Sequence, residues 1–207
     1  MKYFLFSDVH GDFTGLKQSL DKAGYNENDS SHMLIGVGDY FDRGIENNKI
    51  LDFIYERHQS GKIKLILGNH DEFLLSYLKG EDDGIFNMRN NGMHRTIEEF
   101  SGMYGLFPEG DYSIARDAVN KNHPYLIPLL ESMKDQILMG QYEITHAGYS
   151  RPYIAFGDWQ INCWSNTETF VSKYDDNPGL TMIFGHWGTQ YLFMKFKQKK
   201  YRHGIFR

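Results

Sequence analysis

At 207 residues the chain is long enough for one domain with a full hydrophobic core. Hydrophobic residues at 41% and charged residues at 24% are ordinary for a globular protein, and a net charge of −5 without a long single-sign run signals no overall nucleic-acid or membrane-surface character. The lone cysteine, Cys163, excludes an intrachain disulfide and a cysteine-rich zinc site.

The chain opens on a strand-like run, 3–6, that is too short for a signal-peptide core, and no later segment reaches transmembrane length. A cytoplasmic, reducing setting with no membrane association is the expectation. The run 3–6 leads into Ser7-Asp8-Val9-His10-Gly11, after which Leu16, Leu20 and Ala23 share one helical face and Gly24 supplies a stop. A second run, 33–37, leads into Gly38-Asp39-Tyr40-Phe41-Asp42-Arg43-Gly44, and a helical pattern through Ile50, Phe53, Ile54 and Arg57 ends at Gly61. The third, 63–67, leads into Gly68-Asn69-His70-Asp71, and Phe73, Leu74, Tyr77 and Leu78 form a helical stripe ended by Gly80.

From about 81 to 140 the strand rhythm lapses and helix-like pieces such as 96–100 and 126–133 take over. This stretch reads as a mostly helical insertion capping a site, inside a single domain spanning 1–207. Two further runs follow, 142–145 before His146-Ala147-Gly148 and 181–184 before Gly185-His186. The basic stretch Lys195, Lys197, Lys199, Lys200 and Arg202 reads as a solvated chain end. Strand–helix alternation implies an α/β sheet, whose ligands gather beyond the carboxyl ends of the strands. Every polar cluster falls at such an end.

Taken singly, each cluster has a plain structural explanation: a helix cap, a salt-bridged turn or a hydrogen-bonded histidine at a strand end. For all five to be structural at one sheet edge is improbable. Carboxylates, an amide oxygen and imidazoles together form an oxygen/nitrogen donor set that suits manganese, iron or zinc.

Asp8-x-His10-Gly11, Gly38-Asp39-x-x-Asp42-Arg43-Gly44, Gly68-Asn69-His70-Asp71, His146-Ala147-Gly148 and Gly185-His186 follow the order found in calcineurin-like metallophosphoesterases. The chain resembles most the phosphoprotein-phosphatase branch with its small phage and bacterial members, and nearly as well the symmetrical diadenosine tetraphosphatases. The resemblance implies a four-layer αββα sandwich and two divalent cations, manganese first, with iron or zinc as alternatives. It places Asp8 and His10 on one cation, Asp39 between both, and Asn69, His146 and His186 on the other. It makes His70 a general acid, Asp42 its orienting partner and Arg43 a phosphate ligand. It further implies attack by a hydroxide shared between the cations. Phosphoserine or phosphothreonine in proteins is the leading substrate, diadenosine polyphosphates the alternative, and a metal-binding scaffold with weak turnover the rival of another class. No nucleic-acid partner is signalled, and the oligomeric state is left open.

The chain departs from the family pattern in three places. Cys163-Trp164-Ser165-Asn166 puts Asn166 where relatives carry a second phosphate-binding arginine, for which Arg151 is a candidate substitute. The stretch Asn90-Asn91-Gly92-Met93-His94-Arg95-Thr96 lacks one glycine of a related motif, leaving a substrate contact and a plain helix start both open. The chain also stops at Arg207, so either the second sheet is abbreviated or this is part of a longer protein.

Overall fold

The computed structural model describes residues 1–147 and 181–186. Three parallel strands, β1 (Lys2–Phe6), β2 (His32–Val37) and β3 (Ile63–Ile66), form the first sheet in that order. They alternate with helices α1 (Phe13–Lys22), α2 (Asn47–Gln59) and α3 (Asn69–Lys79). Local signals set the helix ends. Asp12 caps α1 by accepting the Gly15 N–H at 2.8 Å, and the left-handed Gly80 closes α3.

The period-2 alternation of the strands divides their side chains between two layers. Phe4, Phe6, Leu34, Ile63 and Leu65 join the helices in the larger core. Ile35, Val37 and Ile66, with Leu5 beside them, meet Ile137, Ile144, Met139 and Ile183 of a second sheet. That sheet pairs β4 (Gln136–Met139) antiparallel to β5 (Tyr142–Thr145), and β5 parallel to β6 (Thr181–Ile183). A helical layer and two facing sheets are thus present. A helical layer beyond the second sheet is not among the described residues, nor is the C-terminal stretch on which an abbreviated sheet was expected.

Four helices occupy much of the stretch where strands lapse: α4 (Ile85–Asn90), α5 (Met93–Ser101), α6 (Tyr112–Asn122) and α7 (Leu126–Ser132). The pieces 96–100 and 126–133 lie mainly within α5 and α7. Buried side chains from all four, among them Met88, Ile97, Phe100, Val119 and Leu130, enter the larger core instead of forming their own. The expected helical stretch to 140 gives way earlier than anticipated. β4 already starts at Gln136 and turns into β5 through Gly140, whose φ of 59° suits a tight hairpin. No helix among the described residues is long and apolar enough to cross a membrane.

Candidate metal centre

Parallel pairing brings the carboxyl ends of β1, β2 and β3 to one edge, and backbone bonds zip the loops that follow. The N–H groups of Asp8, His10 and Gly11 donate to the carbonyls of Gly38, Asp39 and Tyr40 at 3.0–3.1 Å. On the second sheet, Gly185 N–H donates to the His146 carbonyl at 2.9 Å, setting the ends of β5 and β6 side by side. The two edges meet where the His186 N–H lies 3.0 Å from each carboxylate oxygen of Asp8.

Asp39 is the common member of two donor groups. One contains His10, Asp39 and His70, the other Asp39, His146 and His186, with ligand atoms in each within 4.8 Å of one another. Asp39 Oδ2 lies 3.6 Å from His10 Nε2, and Oδ1 lies 3.3 Å from His146 Nε2. Asn69 Oδ1 sits between the second pair of imidazoles, 3.1 Å from His146 Nε2 and 2.9 Å from His186 Nδ1. His10, Asp39, Asn69, His146 and His186 therefore converge, whereas Asp8 falls in neither donor group and joins the centre through the His186 amide. His70, expected only as an acid, also comes within this circle.

The ring orientations suit cation binding. His10 Nδ1 contacts the Phe41 carbonyl at 2.9 Å and His146 Nδ1 the Val37 carbonyl at 2.7 Å, so each Nδ1 donates and each Nε2 is turned inward. In neutral His146 the Nε2 lone pair then faces two oxygen acceptors, those of Asp39 and Asn69. Acceptors crowded against acceptors call for a proton or a cation between them. The electrostatics agree. Burial opposes the Asp39 charge, but His146, His70 and His10 outweigh it and hold the carboxyl below its usual range. Burial works to lower His146, yet Asp39 beside it raises the imidazole to about 9. Burial and the neighbouring His146 push His186 down to about 4, and His10 is lowered chiefly by burial.

Asp71, which carried no assigned role in the sequence, holds this arrangement from behind. Its Oδ2 accepts from Asp39 N–H at 2.8 Å and Gly68 N–H at 2.9 Å, and its Oδ1 from Tyr40 N–H at 3.1 Å. Burial and the charge of Asp39 push its pKa up to about 7, against these hydrogen bonds. The amide of His70, in the first turn of α3, donates to Asp39 Oδ1 at 3.0 Å, so the positive end of a helix also supports that carboxylate. Gly68 makes the approach possible. A Cβ there would collide with both Asp39 N and Asp39 Oδ1. Gly68→Ala should cost about 1–3 kcal/mol through overpacking and weaken cation binding by displacing Asp39. Urea midpoints and metal titration of the variant check this; if neither changes, the loops have room to spare.

His70, Asp42 and Arg43 form a chain at the edge of the centre. His70 Nδ1 lies 2.7 Å from Asp42 Oδ2, and Nε2 lies 3.0 Å from an Arg43 guanidinium nitrogen. Burial lowers the His70 pKa, but the Asp42 hydrogen bond and the charges of Asp39 and Asp42 together outweigh it and raise the imidazole. Arginine can only donate, so Nε2 accepts in this arrangement and the imidazole is neutral. Arg43, expected on phosphate, here rests on His70. The stretch Asn90 to Thr96 also finds its place: Gly92 O accepts from Arg43 N–H at 3.3 Å, and Thr96 bonds to Asp42. Asn166 and Arg151 lie outside the described residues.

Residues 1–191 match the model of the calcineurin-like phosphoesterase family. The asymmetrical bis(5′-nucleosyl)-tetraphosphatase PrpE of Bacillus velezensis is 26% identical over 76% of this chain and 65% of its own length. A symmetrical bis(5′-nucleosyl)-tetraphosphatase of Haemophilus ducreyi is 40% identical over 39% of this chain and 28% of its own. A crystal structure provisionally assigned as a diadenosine tetraphosphatase superposes with a TM-score of 0.51 at 15% identity, covering 89% of this chain and 74% of that one. The chain spans less than two thirds of both curated relatives.

Proposed function

Because the chain belongs to the calcineurin-like phosphoesterase family, we propose that it hydrolyses phosphate esters or anhydrides with divalent cations held around Asp39. The observation that carries this reading is that one carboxylate belongs to both donor groups. Asp8 and His10 would complete one side, and Asn69, His146 and His186 the other. Cations held there supply Lewis acidity for the phosphoryl oxygens and make bound water more acidic. Manganese is the first choice for this oxygen/nitrogen set, with iron or zinc as alternatives.

The chain's own residues do the rest. Asp42 orients the His70 imidazole through Nδ1 and stabilises its charged form. His70 would deliver a proton from Nε2 to the departing oxygen. Arg43 must first leave that nitrogen, since two donors cannot face each other. A phosphate offers the guanidinium a better partner, with charge and fork geometry both matched. Substrate binding would thereby free His70 for protonation.

Two substrate classes have support. Dinucleoside polyphosphates are favoured by the likeness to the two tetraphosphatases, and phosphoserine or phosphothreonine by the order of the motifs. Purified protein with added manganese should be offered diadenosine tetraphosphate, phosphopeptides, p-nitrophenyl phosphate and a cyclic nucleotide diester. Products separate the modes, because ATP plus AMP marks asymmetrical cleavage and two ADP symmetrical cleavage. Cation binding without turnover on any ester would support the scaffold reading and overturn the enzymatic one.

Manganese should also raise the melting temperature. A cation at about 100 times its Kd that binds only the folded state adds about 2.7 kcal/mol, and a chelator should reverse the shift. A melting temperature indifferent to manganese, zinc and iron would argue against the centre itself.

A further inference from the structure

We propose that Thr96 is a positioning residue for the acid: its hydroxyl fixes the Asp42 carboxylate in the one orientation that serves His70. This rests on the proposed role of His70 and adds a residue from the helical stretch to the reaction.

The hydroxyl of Thr96 closes a ring with Asp42. Oγ1 accepts the Asp42 N–H at 2.9 Å and donates to Asp42 Oδ1 at 2.6 Å. With Oδ1 engaged, Oδ2 is left facing His70 Nδ1 at 2.7 Å. The Asp42 amide has a second acceptor, Asn47 Oδ1 at 3.0 Å, but among the described residues no second donor reaches Asp42 Oδ1. Both Thr96 and Asp42 are 0% exposed, so Thr96 does not touch substrate and water does not replace its hydroxyl without rearrangement.

The surroundings make the placement firm. Ile97 and Phe100, beside and one turn beyond Thr96, are buried in the main core, and Phe100 packs edge-on to Phe41 at 5.4 Å. Glu99, on the same helix, accepts from Asn47 Nδ2 at 2.7 Å and Asn48 N–H at 3.0 Å, tying α5 to the start of α2. Two positions of one helix thus hold Asp42 and the start of α2 that follows it. Helix α5 presents a rigid hydroxyl to a residue 54 positions earlier in the chain.

Thr96→Val keeps the shape and removes the hydroxyl, while Thr96→Ser keeps the hydroxyl. If Thr96 acts through His70, the valine variant should lose roughly 10-fold in kcat on an alkyl phosphate and little on p-nitrophenyl phosphate, a fraction of the 10²–10⁴ that a general acid supplies. The serine variant should restore the alkyl rate. In a His70→Asn background the valine change should have no further effect, because the two residues act as one unit. The His70 Nδ1–H proton resonance of metal-free protein, assigned by its loss in His70→Asn, should shift and exchange faster in Thr96→Val. Should that variant fail to fold, Thr96→Ala takes its place in each comparison. Equal losses on both leaving groups, additive effects in the double variant, or an unmoved resonance would overturn the proposal. If the wild type hydrolyses no ester, the proposed function fails, and the resonance still decides the role of Thr96.

Discussion

Asp39→Asn should reduce cation uptake and turnover together, with activity falling by about 10³-fold or more. The variant keeps the shape of the side chain, and its oxygen can still accept the His70 amide. It removes the single negative charge that both donor groups share. Lewis-acid stabilisation is worth several kcal/mol, and each 1.4 kcal/mol or so is a factor of ten in rate. The loss should also release His146, whose raised pKa depends on Asp39. Metal content measured after gel filtration, alongside turnover, reads both effects. A variant that carries a full complement of metal and turns over at the parental rate would show that the two donor groups do not share this carboxylate in function.

His70→Asn should behave differently, lowering turnover by roughly 10²–10⁴-fold while metal content stays nearly constant. The loss should shrink for p-nitrophenolate, a leaving group that needs little protonation, and be largest for alkoxides. The measurement has acquired a second purpose from the geometry. His70 falls in the same group as His10 and Asp39, and its ring lies 4.7 Å from that of His10. Metal lost together with activity, and equal losses across leaving groups, would make His70 a ligand instead of an acid.

The elements that the sequence makes legible are those with strong periodicity and hard stops. β1, β2, β3 and β5 are short apolar runs bounded by polar or glycine-rich loops, and α1 to α3 end at Gly24, Gly61 and Gly80, all with positive φ. Polar residues just past strand ends are readable because topology alone carries them to a common edge. Weak local signals hide the rest. β4 has only four residues, one of them buried, so alternation has no length in which to show. Helix α6 buries Ala115 and Val119 alone, too sparse a stripe to separate from a loop. The roles of Asp71 and Thr96 are out of reach for another reason. Asp39 and Asp42, which they hold, lie 32 and 54 residues away, and nothing near either residue records that distance. The resting place of Arg43 on His70 belongs to the same class.

Asp8, His10, Asp39, Asp42, Arg43 and His186 are the non-glycine residues with positive φ among the described residues, at values from 45° to 75°. Asp and His tolerate this region better than most side chains, but none is as comfortable there as glycine. The conformations therefore set a conflict between thermal hardiness and catalysis. A library of variants selected only for resistance to heat should drift toward glycine or asparagine at these positions, gaining stability as the donor atoms disappear. Breeding a hardier form of this protein without such losses would mean leaving those six positions fixed and recruiting improvements from the helices and sheet faces that surround them.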